Sequence, residues 1–212
     1  MNNELLQIQS ELQKRLSIPY QWNRKQNDFL DNKTNFIYHI KTLEELLTEI
    51  DKRFKSDKNF KMYYDYSLNR WFNFWSAYAL EKIFCSLPNV KPAFNHRDRL
   101  KDFSIQGINF DHKSSVYPMR FGYDIDYAQH HPEILIKWLY ENQSTEKRKH
   151  FRNRLFIVLY NTPGEHWKLK AEIIWLKDLI ENYVSNFDPN KLFSLKLKND
   201  FITYSDIIWA IK

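Results

Sequence analysis

The 212 residues include 17% aromatic side chains and only three glycines. That composition suits a densely packed globule and excludes collagen-like, mucin-like and disordered chains. The lone Cys85 excludes an internal disulfide framework and a cysteine zinc cage, and fits a reducing compartment. The net charge of +6 is unevenly spread, because residues 61–160 carry 15 Lys+Arg against 10 Asp+Glu while the two flanks are nearly balanced. A basic middle favours a polyanionic partner, with nucleic acid first, although solubilising charge alone gives the same count.

The first residues lack the basic-then-apolar order of a secretory signal, and no apolar run approaches the length of a membrane span. The expectation is a soluble, cytoplasmic protein with no membrane association. In chain order, Leu5, Leu6, Ile8, Leu12 and Leu16 predict a helix over 3–16, stopped by Pro19. Residues 20–41 show no clean period. Thr42 followed by Glu45 forms a capping box, and Leu43, Leu46, Leu47, Ile50 and Phe54 continue a helix from it. The charged stretch Lys52–Lys61 reads as an internal linker. It separates a helical N-terminal segment, residues 1–60, from a second domain, residues 61–212.

The next helix, over about 67–87, is apolar nearly all round, so it is buried on most sides. Glu81 lies near its end on a stripe with Arg70, Asn73 and Ala77; it either pairs with Arg70, reaches water, or serves a site. Cys85, on the same helix, reads as core rather than nucleophile. Pro88 and Pro92 end the helix.

Residues 100–113 then form two alternating runs around Gln106-Gly107, the signal of a two-residue hairpin. Closing it there sets Ile105 opposite Ile108, Phe103 opposite Phe110 and Asp102 opposite Asp111. Strand alternation puts the four apolar residues on a core face, and Asp102, Asp111 and Lys113 together on the other. Two carboxylates directly across a ladder lie about 5 Å apart and destabilise it unless a cation intervenes. Lys113 is one such cation and a divalent metal is another.

Beyond the hairpin, Pro132 opens a helix with Ile134, Leu135, Trp138 and Leu139 facing inward. Lys147, Arg148, Lys149, Arg152 and Arg154 crowd into eight positions, a candidate phosphate-contacting run or a solvated helix end. Leu155–Tyr160 is a continuous apolar run, as in a central strand buried on both faces. A helix over about 165–186, two strand-like runs (Leu192–Leu197 and Phe201–Tyr204) and an apolar tail complete the chain.

A helix bearing Glu81, a hairpin bearing Asp102 and Asp111-His112-Lys113, a further helix and a buried strand together resemble the PD-(D/E)XK nuclease superfamily, over residues 67–160. Lys101 stands where the motif has Pro, and the second acid is Asp rather than the commoner Glu. The resemblance implies an α/β fold with a restriction-endonuclease-like core of helix, antiparallel hairpin, helix and buried central strand. It implies Asp102, Asp111 and Glu81 as ligands of Mg²⁺, with Mn²⁺ able to substitute, and Lys113 as the lysine that acts on the attacking water or on transition-state charge. The implied activity is a restriction-type DNA endonuclease, which in many such enzymes works as a homodimer. Two alternatives share the fold: a non-catalytic nucleic-acid-binding module, and an RNA-directed nuclease or toxin. No His-Glu-X-X-His pattern and no glycine-rich phosphate loop competes with this reading.

Overall fold

The computed structural model describes residues 2–22, 27–93, 101–142, 152–196 and 202–212. They form two compact units, residues 1–80 with 170–174, and residues 81–169 with 175–212. Among the described residues no helix is long and apolar enough to cross a membrane.

The first unit is helical: α1 (Asn2–Arg15), α2 (Asp28–Lys33), a 3₁₀ turn (Asn35–Tyr38), α3 (Leu43–Phe54) and α4 (Phe60–Cys85) as far as Leu80. Thr42 caps α3 as its residue type dictates, its side chain accepting the Glu45 amide at 3.3 Å, which is the N-cap half of the expected capping box. Residues 20–41, which have no clean period, hold α2 and the 3₁₀ turn, and both are organised around one cation. Arg70 donates to the Asp31 carbonyl, Thr34, Asn35 and Tyr38. Arg70 is therefore committed within its own unit. Arg15 is fully buried and donates to the Ile18 and Pro19 carbonyls and to Asn69, so the chain that Pro19 turns out of α1 is held by a guanidinium.

The second unit is built on one mixed six-stranded sheet. Its strands are β1 (Val90–Pro92), β2 (Phe103–Ile105), β3 (Ile108–Val116), β4 (Arg154–Tyr160), β5 (Phe193–Lys196) and β6 (Ile202–Ile211), in spatial order β1-β2-β3-β4-β6-β5. β2 and β3 form the expected hairpin, with Phe103 opposite Phe110 and Ile105 opposite Ile108. Gln106 at φ 49° and Gly107 at φ 86° close it with two successive left-handed residues, the turn whose twist matches a hairpin. β4 lies between β3 and β6, parallel to both. Leu155–Leu159 are fully buried, which explains why that run is apolar at every position rather than at alternate ones.

Two helical layers cover the sheet. The short α5 (Ile125–His130) leads into α6 (Pro132–Asn142), which lays Leu135, Ile136, Leu139 and Tyr140 over Phe156, Val158 and Ile207. On the other face, α7 (Ile173–Ser185) places Tyr183 against Asp206 of β6, and Phe187 beyond it meets Phe110 edge-on. The C-terminal turn of α4 anchors there as well, through a Phe84–Phe103 stack with ring centroids 4.4 Å apart. The helix expected over 165–186 is in fact a 3₁₀ segment (His166–Ala171) followed by α7, and the apolar tail is the long strand β6.

The hairpin turn yields the first test. A Cβ added at Gly107 would meet nothing within 4 Å, so only the backbone conformation opposes a side chain there. Gly107→Ala should destabilise the protein by about 1–2 kcal/mol in urea melts, and Gln106→Gly should not. Equal stability of Gly107→Ala and wild type would mean that the turn does not hold its left-handed geometry.

Candidate active site

Alternation along β3 sends Asp111 and Lys113 to one face and His112 to the other. The side of β3 that carries Phe110 and His112 is core: the buried His112 ring lies 6.0 Å from Phe84 and 5.9 Å from Phe103, centroid to centroid.

Asp102 immediately precedes β2, where the paired register ends at Phe103 opposite Phe110; its amide donates to the Phe110 carbonyl at 2.9 Å, one residue out of the register that would set it opposite Asp111. Its side chain does not meet Asp111 there. Asp102 Oδ2 accepts the His112 amide at 2.8 Å and lies 2.7 Å from His112 Nδ1, at the strand edge. Burial pulls the Asp102 carboxyl upward, but the hydrogen bonds and charge of His112, with the charge of Lys113 behind them, outweigh it and hold the group below its usual value. The mutual repulsion expected of two opposed carboxylates is relieved because Asp102 turns to His112 while Asp111 pairs with cations.

Asp111 holds two. Its Oδ1 is 2.8 Å from Lys113 Nζ and its Oδ2 is 3.4 Å from Arg154 Nε. Arg154 opens β4 directly opposite Asp111 in the parallel register, which puts all three charges on one face. Their exposures differ usefully: the Lys113 side chain is 46% exposed, whereas that of Arg154 is 7%. Arg154 lies over the Tyr140 ring, 4.9 Å from its centroid. Tyr140 in turn donates to the Arg152 carbonyl at 2.6 Å and shares a hydrogen bond with Ser205 at 2.8 Å. Burial, opposed by the hydrogen bonds to Ser205 and Thr203 and by the Arg154 charge, raises the Tyr140 phenol, so it remains protonated. Asn153 ties the strand ends together, with its Nδ2 donating to the Asn109 carbonyl and its Oδ1 accepting the Tyr204 amide.

Glu81 and Cys85 are one helical turn apart at the end of α4. Burial, then the charges of Glu81 and Asp102, push the Cys85 thiol up to about 11. Both carboxylates therefore act on the same thiol. Of the basic run, Arg152 is half-buried, Arg154 belongs to the acid cluster, and Lys147, Arg148 and Lys149 lie outside the described residues. His112, Tyr140 and Asn153 were missed from sequence. His112 is the variable residue of its triplet, and nothing local in the chain marks the other two.

The donor set suits a hard cation. Oδ1 of Asp102 takes no hydrogen bond among the described residues, and Asp111 and Glu81 add only carboxylate oxygens. No three His, Cys, Asp or Glu side chains among the described residues are gathered tightly enough to enclose a metal ion by themselves. Mg²⁺ asks for less, taking one or two carboxylates and completing its shell with water and substrate phosphate oxygens.

Comparison with protein-family models, with curated proteins and with solved structures gives no match for this chain. The site's chemistry therefore rests on its own residues.

The pH dependence of the Asp102–His112 contact can be tested directly. A carboxyl held below its unfolded value of about 3.9 contributes stability that is complete above that pH and is lost as pH falls through the lower folded value. Asp102→Asn should therefore be less stable than wild type in urea melts at pH 7, with the gap closing at acid pH, below about 4. A gap independent of pH would show that the carboxylate charge contributes nothing.

Proposed function

We propose that the hairpin site hydrolyses phosphodiester bonds in nucleic acid, DNA first, as a Mg²⁺-dependent nuclease of the PD-(D/E)XK type. One observation carries this reading: Asp111 and Lys113 share a face of β3, with Asp102 at the head of the paired strand. The succession α4, β2–β3 hairpin, α6 and buried β4 supports a restriction-endonuclease-like core, and Glu81 on α4 occupies the position of the preceding acid.

In the proposed reaction a water oxygen forms a bond to phosphorus, the P–O ester bond breaks, and the departing alkoxide takes up a proton. The products are a phosphomonoester and a hydroxyl. Asp102 and Asp111 would hold Mg²⁺, with Glu81 reaching it through water, and the ion would lower the pKa of a bound water and neutralise charge developing on phosphate. Lys113 is half-exposed on a flexible stem and salt-bridged to Asp111, so its ammonium can reach both the carboxylate and a water or phosphate oxygen beside it. Its task is to orient the attacking water or to stabilise negative charge as the new bond forms. His112 fixes Asp102 by two contacts to one oxygen, leaving the other oxygen for the cation.

A non-catalytic nucleic-acid-binding module is the second reading. The ion pairs of Asp111 favour it, since both carboxylate oxygens already have a cation at hand.

Purified protein incubated with plasmid DNA and with structured RNA, in Mg²⁺ or in EDTA, separates these readings. Wild type should cut in Mg²⁺ and not in EDTA. Lys113→Ala should keep its fold and its nucleic-acid affinity while cleavage falls by at least about 100-fold. Cleavage within about threefold of wild type would remove Lys113 from the mechanism. Binding without cleavage under every metal would establish the module instead.

A further inference from the structure

We infer that Arg154 grips the reacting phosphate from inside the site, rather than serving as the last member of an outer basic run; this rests on the nuclease reading. Three buried arginines among the described residues make an internal comparison. Arg15 and Arg70 are as buried as Arg154, and each spends its guanidinium on carbonyls and side-chain oxygens. Arg154 does not. Its Nε is buried without a hydrogen-bond partner, as is that of Arg15, but unlike Arg15 its two terminal nitrogens also donate no hydrogen bond to the described residues. Its company is an aromatic face and one oxygen of Asp111 at ion-pair distance.

A guanidinium has five N–H donors in a rigid planar fork; in Arg154 only the Nε is a fully enclosed orphan, so the terminal donors are left open to a ligand. The fork matches two non-bridging oxygens of a phosphate, a fit that lysine cannot reproduce. Arg154 is also held in place before any ligand arrives. It opens β4 opposite Asp111, and Tyr140 beneath it is pinned by the Arg152 carbonyl and Ser205. Donors fixed in advance are those that stabilise charge as it develops, since they need no reorganisation during the reaction. Lys113 and Arg154 thus divide the work around Asp111. The exposed lysine adapts to the water, and the buried arginine stays fixed on the phosphate.

The test uses Arg154→Lys, which keeps the charge opposite Asp111 but loses the fork. Single-turnover cleavage of plasmid DNA should fall by at least about 100-fold in a variant whose circular dichroism is that of wild type. A residue that only balances the charge of Asp111 would tolerate lysine, so cleavage by Arg154→Lys within about threefold of wild type overturns the assignment.

A second arm reads the anion site without turnover. In Asp111→Asn, Arg154 loses its carboxylate neighbour, and inorganic phosphate should raise the melting temperature beyond what chloride of equal ionic strength does. Asp111→Asn combined with Arg154→Lys should lose most of that gain; an equal gain in both proteins overturns the assignment. Should wild type cut neither DNA nor RNA with Mg²⁺ or Mn²⁺, the nuclease reading fails alone, and the phosphate arm decides whether Arg154 is an anion-binding group.

Discussion

A strand buried on both faces has to be covered twice, and β4 imposes that requirement on the whole second unit. Leu155–Leu159 have no exposure, so their side chains need an apolar layer above the sheet and another below it. α6 supplies one layer; α7 and the end of α4 supply the other. Parallel pairing of β4 with both neighbours follows, because each return to the same end of the sheet needs a crossover long enough to hold a helix. Full burial of a Phe156 or a Leu155 is worth about 2–3 kcal/mol each, so the sheet centre is where the fold is held most firmly.

The acid cluster sits where this burial gives out. Arg154 is the first residue of β4, and Asp111 is its partner on β3, at the end of the sheet where Asn153 ties the strands together. A charge here can be almost fully enclosed and still have a ligand approach from one side. Deeper in the sheet it would be isolated among apolar side chains; farther out it would be screened by water. The cluster also explains how two acids close in sequence register coexist. Asp102 is drawn aside by His112, and Asp111 is neutralised by Lys113 and Arg154.

The parts of this arrangement that depend on local rules were readable from the chain. Gln106-Gly107 demands a left-handed two-residue turn, the alternating residues around it fix the hairpin register, and the unbroken apolar run at 155–160 marks a central strand. The parts that depend on distant packing were not. Asp102 lies one residue before β2, where strand alternation no longer dictates direction, so its turn toward His112 could not be inferred from the ladder. Arg154 looks like the last charge of a basic run until β4 is seen to begin at it. β1, only three residues long and ending in proline, has too little pattern to recognise without its partner β2. β6 hides Ser205 and Asp206 inside an apolar tail, because Tyr140 and Tyr183 from separate helices satisfy them.

Cys85 gives the site a chemical temperament of its own. Cysteine oxidises, alkylates and exchanges disulfides as the thiolate. Burial together with the charges of Glu81 and Asp102 pushes the Cys85 thiol to about 11, which leaves almost none of it ionised at neutral pH. Burial first, and the two carboxylates after it, thereby keep this half-buried sulfur inert toward peroxide and electrophiles. Because burial is the largest cause, the rate at which a maleimide reaches this one thiol is a gauge of how tightly the end of α4 is packed, readable with no nucleic acid present.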